Sequence, residues 1–311
     1  MNSMKKISCI VVILLAIATN VVAQGFYLRL GVGYAFSQAG QTNDGNGEPY
    51  NGSLNNSTLL QAYNLKSASF GAGFQGVLGL GYLFSDHVGV QLDAGVGIAS
   101  KKYTFNDNNV NINGVASDVS VVQQAQSPLI LIPSIVLQTG GAPWNIYSRF
   151  GLALPLSTKM TQDQIISNAP GTGAVEVDDY TFDIKNSFAL GFAAAAGVQY
   201  KLNDKVSLWG EVSLLSLSVN IKQSDLTGVT ANGQSVSLSQ VSGPQTVTYS
   251  KNASVDSTGT KEPTYSQPFS NIAINLGVSF KLGRNSHSKS HGRNSRSDSD
   301  LIDRPKNARF K

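Results

Sequence analysis

The sequence predicts an all-β protein, an eight-stranded antiparallel transmembrane β-barrel with long extracellular loops and short periplasmic turns. Three observations predict it. Stretches of about ten residues alternate strictly between apolar and small or polar side chains, the period of a strand with one oily face and one wet face. The segments between them alternate long and short. No internal stretch approaches the ~18 continuous apolar residues of a spanning helix, yet only 14% of the 311 residues are charged, against a typical ~25%. A chain that crosses lipid without such helices needs a closed barrel, because backbone groups cannot face hydrocarbon unpaired.

The N-terminus reads as a targeting segment. Lys5 and Lys6 precede the apolar run Ile7 to Ala18, and Val21-Val22-Ala23 fits a small-residue cleavage site. Residues 1–23 are therefore assigned to a signal peptide and the mature chain to residues from Gln24 on. Cys9 is the single cysteine and lies at the start of the apolar run, not at the cleavage site. This argues against a lipid anchor and leaves the mature chain without disulfide or thiolate chemistry.

The strands follow in order. In the first, Phe26, Leu28, Leu30, Val32, Tyr34 and Phe36 share one face and Tyr27, Arg29, Gly31 and Gly33 the other; residues 37–66 form a long loop rich in Asn, Gly and Ser. The second runs from Ser69 to Phe84 with Phe70 and Phe74 outward, and Ser85-Asp86-His87 is a tight turn. The third, from Val88, places Gln91, Asp93, Gly95 and Gly97 inward; a loop spans Tyr103 to Gln126. The fourth, Leu129 to Gln138, alternates less cleanly, and Pro133 predicts an irregularity because it removes a ladder donor. After the turn Thr139–Pro143, the fifth strand puts Trp144, Ile146, Phe150 and Leu152 outward and Tyr147, Arg149 and Gly151 inward. A third loop covers Ser157 to Asp179. The sixth strand runs from about Asp183 to Leu202, Asn203-Asp204-Lys205 turns, and the seventh runs from Val206 to about Ile221. Its phase slips near Leu214-Leu215, which predicts a β-bulge there. The fourth loop, Lys222 to Pro268, carries an Asn232-Gly233 hairpin signal, so strands six to eight are expected to continue past the membrane as hairpins.

The eighth strand, Asn271 to Leu282 (NIAINLGVSFKL), alternates without a fault. Aromatics gather toward strand ends. Phe26, Tyr82, Phe84, Trp144, Tyr200, Trp209 and Phe280 lie toward one end, and Tyr34, Phe36, Phe70, Tyr103, Tyr180 and Phe269 toward the other. Two girdles are what amphipathic rings at both membrane interfaces would give.

With these strands in place, residues 24–283 resemble the small eight-stranded bacterial outer-membrane β-barrels, the OmpA-, OmpX- and PorT-like proteins. The signal peptide, the alternating strands and the last strand carry the resemblance. It implies the bacterial outer membrane as location and outer-membrane lipid and lipopolysaccharide as surroundings. It also implies recognition of the last strand, with Phe280 and Leu282, by barrel-insertion machinery. Many such barrels end on that strand, but here a tail follows. Residues 284–311 hold eight Lys/Arg and three Asp. The formal +4, less the tail's +5 and the two signal-peptide lysines, leaves residues 24–283 at −3. The tail's composition reads as disorder, with anionic cell-wall groups as a partner to weigh against plain solvation.

Four charges take the inward parity at similar depth: Arg29, Asp93, Arg149 and Glu211. An eight-stranded barrel is just wide enough for side chains to fill. These four are therefore expected to pair across the lumen and close it; a gated narrow channel is the other reading. Catalysis is not expected. His87 falls in a periplasmic turn and His287 and His291 in the tail, away from any outer active site, which also removes a histidine metal site within the barrel. Gly71 to Gly76 (GAGFQG) matches a dinucleotide fingerprint in letters alone, since no helix follows. The runs Asn43–Glu48 and Asn106–Asn109 offer oxygen ligands for calcium but read better as turn formers. No cofactor, metal or nucleic acid is expected. The function these features imply is a non-enzymatic envelope component whose loops contact external ligands in an adhesin-like way. A small channel or a transport- or secretion-associated barrel is the alternative, and a soluble periplasmic or secreted β-sandwich a second.

Overall fold

In the computed structural model the described residues are 25–38, 41–44, 64–112, 115–168, 176–252 and 259–282. The segment read as a signal peptide (1–23) and the basic tail (284–311) lie outside them. Strands are numbered in chain order. Eight of them close a barrel: β1 (Gly25–Ser37), β4 (Gly73–Leu83), β5 (Val88–Ser100), β8 (Leu129–Gln138), β9 (Trp144–Ser157), β12 (Gly191–Lys201), β13 (Val206–Ser216) and β19 (Asn271–Lys281). Every neighbouring pair is antiparallel, and β1 closes the ring by pairing with both β4 and β19. Closure satisfies each ladder within the protein, which is what lets a sheet stand in lipid. The outward faces carry exposed Leu30, Val32, Leu78, Ile98, Phe150, Phe192, Ile274 and Leu276. Those apolar faces point away from the lumen rather than onto a second sheet, so the β-sandwich alternative does not hold.

Above the barrel a second sheet stands on one side of its rim. Its strands run in the order β17 (Lys261–Pro263), β16 (Thr246–Ser250), β14 (Ser218–Ala231), β11 (Glu176–Asn186), β10 (Met160–Asn168), β7 (Val115–Ala125) and β6 (Tyr103–Ile112). β15 (Gln234–Ser235) and β18 (Ser266–Pro268) also pair with β14, and β2 (Gln41–Asp44) pairs with β3 (Asn64–Ser67). The upper strands continue the barrel staves across breaks of a few residues: β5 into β6, β7 into β8, β9 into β10, β11 into β12, β13 into β14.

This architecture corrects several expectations. The segments predicted as loops over Tyr103–Gln126 and Ser157–Asp179 are mostly strand. Phe105, Val119, Val121 and Met160 from these segments join a buried core, together with Ile184 of β11. The second barrel strand starts at Gly73 rather than Ser69, so Phe70 is buried and does not face lipid. The sixth is two strands, β11 and β12, separated where Phe188 and Leu190 are exposed. No bulge occurs at Leu214-Leu215, where β13 keeps its register with β12 and β19. The apparent slip arises because Leu215, Leu217, Val219 and Ile221 hold the inward parity above the polar part of the lumen, where the interior is apolar. The irregularities lie further on, in β14, whose ladder to β11 skips Lys222 and Thr227. At Pro133 the ladder from β8 to β9 passes over Ile132 and Pro133 without changing register. The Asn232-Gly233 turn joins β14 to β15 as predicted, with both residues at positive φ.

The outer aromatic girdle also differs. Phe70, Tyr103 and Phe269 are buried, and the exposed rings near that rim are Phe36, Phe74, Phe188 and Phe192. In the periplasmic girdle Trp209 is the exception. It shares the parity of Glu211 and lies inside the barrel.

Candidate functional site: a filled lumen

The register explains how four long charged side chains fit one small lumen. Arg29 stands between Gly79 of β4 and Ser279 of β19, and Asp93 is also beside Gly79. Arg149 is flanked by Val136 and Ala195, and Glu211 by Gly197 and Asn275. Small neighbours leave the centre to the charged groups.

The structure brings all four together. Arg149 donates from Nη1 to Asp93 Oδ2 and from Nη2 to Glu211 Oε1, the latter at 2.5 Å. Arg29 Nη2 donates to Glu211 Oε2 at 3.0 Å. Relative exposures are 5% for Arg29, 2% for Asp93, 6% for Arg149 and 5% for Glu211, so the pairs are shielded from the screening that weakens surface ion pairs. Two cations meet two anions, and the cluster is neutral as a unit.

Neutral neighbours complete it. Tyr147 accepts from Arg29 at 2.7 Å and donates to Glu211 at 2.8 Å. Gln91 donates to Asp93 at 2.6 Å and accepts from Tyr27 at 2.8 Å. Asn275 donates to Ser213 at 2.9 Å and accepts from Gln75 at 2.7 Å. Trp209 lies under Arg29, whose guanidinium carbon is 4.0 Å from the ring centroid. Tyr147, Gln91 and Asn275 stand on polar faces that the alternation had already turned inward. Trp209 was assigned to the girdle because it is aromatic and near a strand end, although its parity with Glu211 was the better signal.

The cluster divides the lumen. On the periplasmic side lies a vestibule of about 230 Å³ with Tyr27, Arg29, Gln91 and Tyr147 at its floor and Lys201, Lys205 and Lys281 among its rim residues. On the outer side lies a chamber of about 80 Å³ bounded by Asp93, Arg149, Glu211, Ser213 and Asn275 below and by Ile130 and Leu215 above. Over the chamber is a continuous apolar cap. Ala68, Phe70, Ile130, Ala153, Met160, Leu215, Leu217 and Phe269 are buried in one cluster, with Phe70 and Phe269 ring centroids 6.1 Å apart.

The remaining sequence candidates lie elsewhere. Phe280 sits in β19 opposite Leu28 and Val206, and Leu282 is exposed just past the strand, its N–H donating to Phe26 O at 2.7 Å. His87 is exposed in a turn, with Nδ1 3.2 Å from the Gln138 carbonyl; His287 and His291 lie outside the described residues. Asn106–Asn109 belongs to β6, and Asn43–Glu48 is described only as far as Asp44. No group of three or more metal-ligating side chains occurs among the described residues.

The family described as outer membrane protein beta-barrel domain matches residues 7–241. The chain belongs to this family. Membership fits the closed lipid-facing barrel and gives the protein a bacterial outer-membrane setting. Among curated proteins none matches. Similar solved structures include the outer membrane protein OprG from Pseudomonas aeruginosa, at 11% identity and TM-score 0.37, covering 84% of this chain and 99% of that one. CarO from Acinetobacter baumannii follows at 12% identity and TM-score 0.30, covering 81% and 96%. Ail, the attachment invasion locus protein of Yersinia pestis, stands at 12% identity and TM-score 0.26, covering 82% and 99%.

Proposed function

We propose that this outer-membrane barrel is a non-enzymatic envelope protein with a closed lumen, which holds its extracellular sheet as a surface for recognising external partners. The observation that carries the reading is the pairing of a filled interior with an elaborated exterior. The staves that span lipid continue outward into β6, β7, β10, β11 and β14, so the outer sheet is braced by the barrel. Recognition in the adhesin-like sense would use this sheet. Strand addition is restricted by its edges. β17 is three residues long and ends in Pro263, and β6 keeps an even register with β7 only over Tyr103–Asp107 before shifting. Short, bulged or proline-bearing edges resist pairing, which points recognition to the faces of the sheet rather than to an added strand.

In this reading the chain is exported by its signal peptide and Phe280 and Leu282 mark the strand for insertion machinery. The barrel contacts lipid and lipopolysaccharide, and the basic tail meets anionic cell-wall groups. The sheet is tested with cells carrying either the whole protein or a variant in which residues 103–125 are replaced by a short turn. Surfaces coated with a panel of proteins and glycans serve as targets. Adherence lost in the variant, with the barrel still folded by heat-modifiable gel mobility, supports the reading; equal adherence to every surface would sink it. The channel alternative is opposed by the ion-paired cluster and the apolar cap across the lumen.

A further inference from the structure

We propose that the lumen is closed by two independent seals with a hydrated chamber between them, the charge cluster on the periplasmic side and the apolar cap on the outer side. The inference deepens the closed-lumen reading and rests on it. Its basis is the stacking of unlike layers along one axis. The cluster is polar and self-neutralised. The cap draws on the chain before β4, on β8, β9, β10 and β13, and on Phe269 before β19, and so reaches most of the way round the wall. Neither layer shares a charged group with the other, so loss of one leaves the contacts of the other in place.

The chamber between them is a site for ordered water. It is well above the roughly 10–15 Å³ that a single water needs, and its lower walls supply the polar partners that water requires. One donor there has no protein partner. Arg149 is buried and lines the chamber, both Nη atoms are engaged, and its Nε is buried without a hydrogen bond. An unmet buried donor beside a cavity with polar groups along its lower wall is where water binds, because a buried donor left unsatisfied is costly.

Two seals in series make a prediction that one seal does not. Opening either exposes the chamber without making a pore; a pore needs both. Cys9 is the single cysteine and lies in the segment read as a signal peptide, so Ser213→Cys with Cys9→Ser gives one reporter thiol in the chamber. The probe is a small charged methanethiosulfonate, with planar-bilayer conductance read on the same preparations. The periplasmic seal is opened with Arg29→Ser plus Glu211→Ser, which keeps the cluster neutral, and the outer seal with Phe70→Ala plus Phe269→Ala. Folding is checked by heat-modifiable mobility, and Arg29→Met with Glu211→Gln and Phe269→Ala alone stand in for any pair that fails to fold. The expected pattern is no labelling and no conductance in the parent, labelling without conductance in each single opening, and conductance when both are open. Conductance from the cluster variant alone overturns the second seal. Absence of labelling in both single openings overturns the chamber's place between them. Conductance of the parent defeats the closed-lumen reading itself.

Discussion

The guanidinium of Arg29 stacks over Trp209 inside the barrel, its carbon 4.0 Å from the ring centroid. The contact ties the charge cluster to a large apolar surface within the lumen. Trp209 is 3% exposed, whereas Trp144, on the outer wall, is 61% exposed.

These two are the only tryptophans in the chain, and their settings predict opposite fluorescence. In brominated-lipid vesicles a Trp209→Phe variant, reporting Trp144, is strongly quenched. A Trp144→Phe variant, reporting Trp209, is nearly unaffected. Equal quenching would place Trp209 in the girdle after all. Trp209→Ala is expected to destabilise the barrel by about 3–5 kcal/mol in denaturant titrations, as large-to-small changes in packed interiors do.

Arg149 is the shared cation of Asp93 and Glu211. Arg149→Ala leaves Asp93 without a cation and Glu211 with Arg29 alone, and is expected to lower stability by about 3–5 kcal/mol, the loss typical of a broken buried pair. Replacing Arg149 and Asp93 together by Met and Leu should lose much less, because no unpaired charge remains. Urea unfolding of the single and double variants in detergent micelles measures the difference. A double variant as unstable as the single one would contradict an electrostatic origin.

Outside the membrane, Asp225 accepts from Lys185 at 2.8 Å, from Gln223 at 2.7 Å and from Thr246 at 2.8 Å. The Lys185 contact leads in holding its carboxyl down, to about 2. A group depressed on folding contributes stability above its unfolded value, near 3.9, and loses it as pH falls through its folded value. Amide exchange in β14 and β16 is therefore expected to accelerate as pH drops from about 4 to about 2 beyond the intrinsic trend, and Asp225→Asn should remove that excess. An unchanged acid response in Asp225→Asn would discount the contact.

Two glycines of β4 separate the lumen from the wall. A side chain at Gly79 would collide with Asp93 and crowd Arg29, whereas one at Gly76 meets only the tip of Ile98, 3.5 Å away. Gly79→Val should destabilise by about 1–3 kcal/mol or more, as overpacking does, and Gly76→Val should change thermal stability little. A reversed order would mean that the faces of β4 are misassigned.

The barrel was legible because its signal is local: a period of two carried through Phe26–Phe36, Val88–Ile98 and Asn271–Leu282 needs no knowledge of partners. The same parity placed Arg29, Asp93, Arg149 and Glu211 on inward faces. Two things were hidden. In β6, β7 and β10 one face is rich in Asn, Gln, Ser and Asp, so the sheet resembles a loop by composition, and its pairing depends on residues far apart in sequence. The apolar cap was hidden for the opposite reason. Leu215, Leu217, Val219 and Ile221 are apolar on the inward parity, where alternation predicts polar side chains, so a uniform strand reads as one that slips. Phe70 and Phe269 precede β4 and β19 and are drawn inward by each other, a tertiary contact that alternation does not report.

Whether side chains close the lumen is read by single-channel recording of the unmodified protein in a planar lipid bilayer. A closed lumen predicts a silent membrane under applied voltage, with correct folding of the same sample shown by heat-modifiable mobility. A steady, stepwise ionic current from the unmodified protein would contradict it.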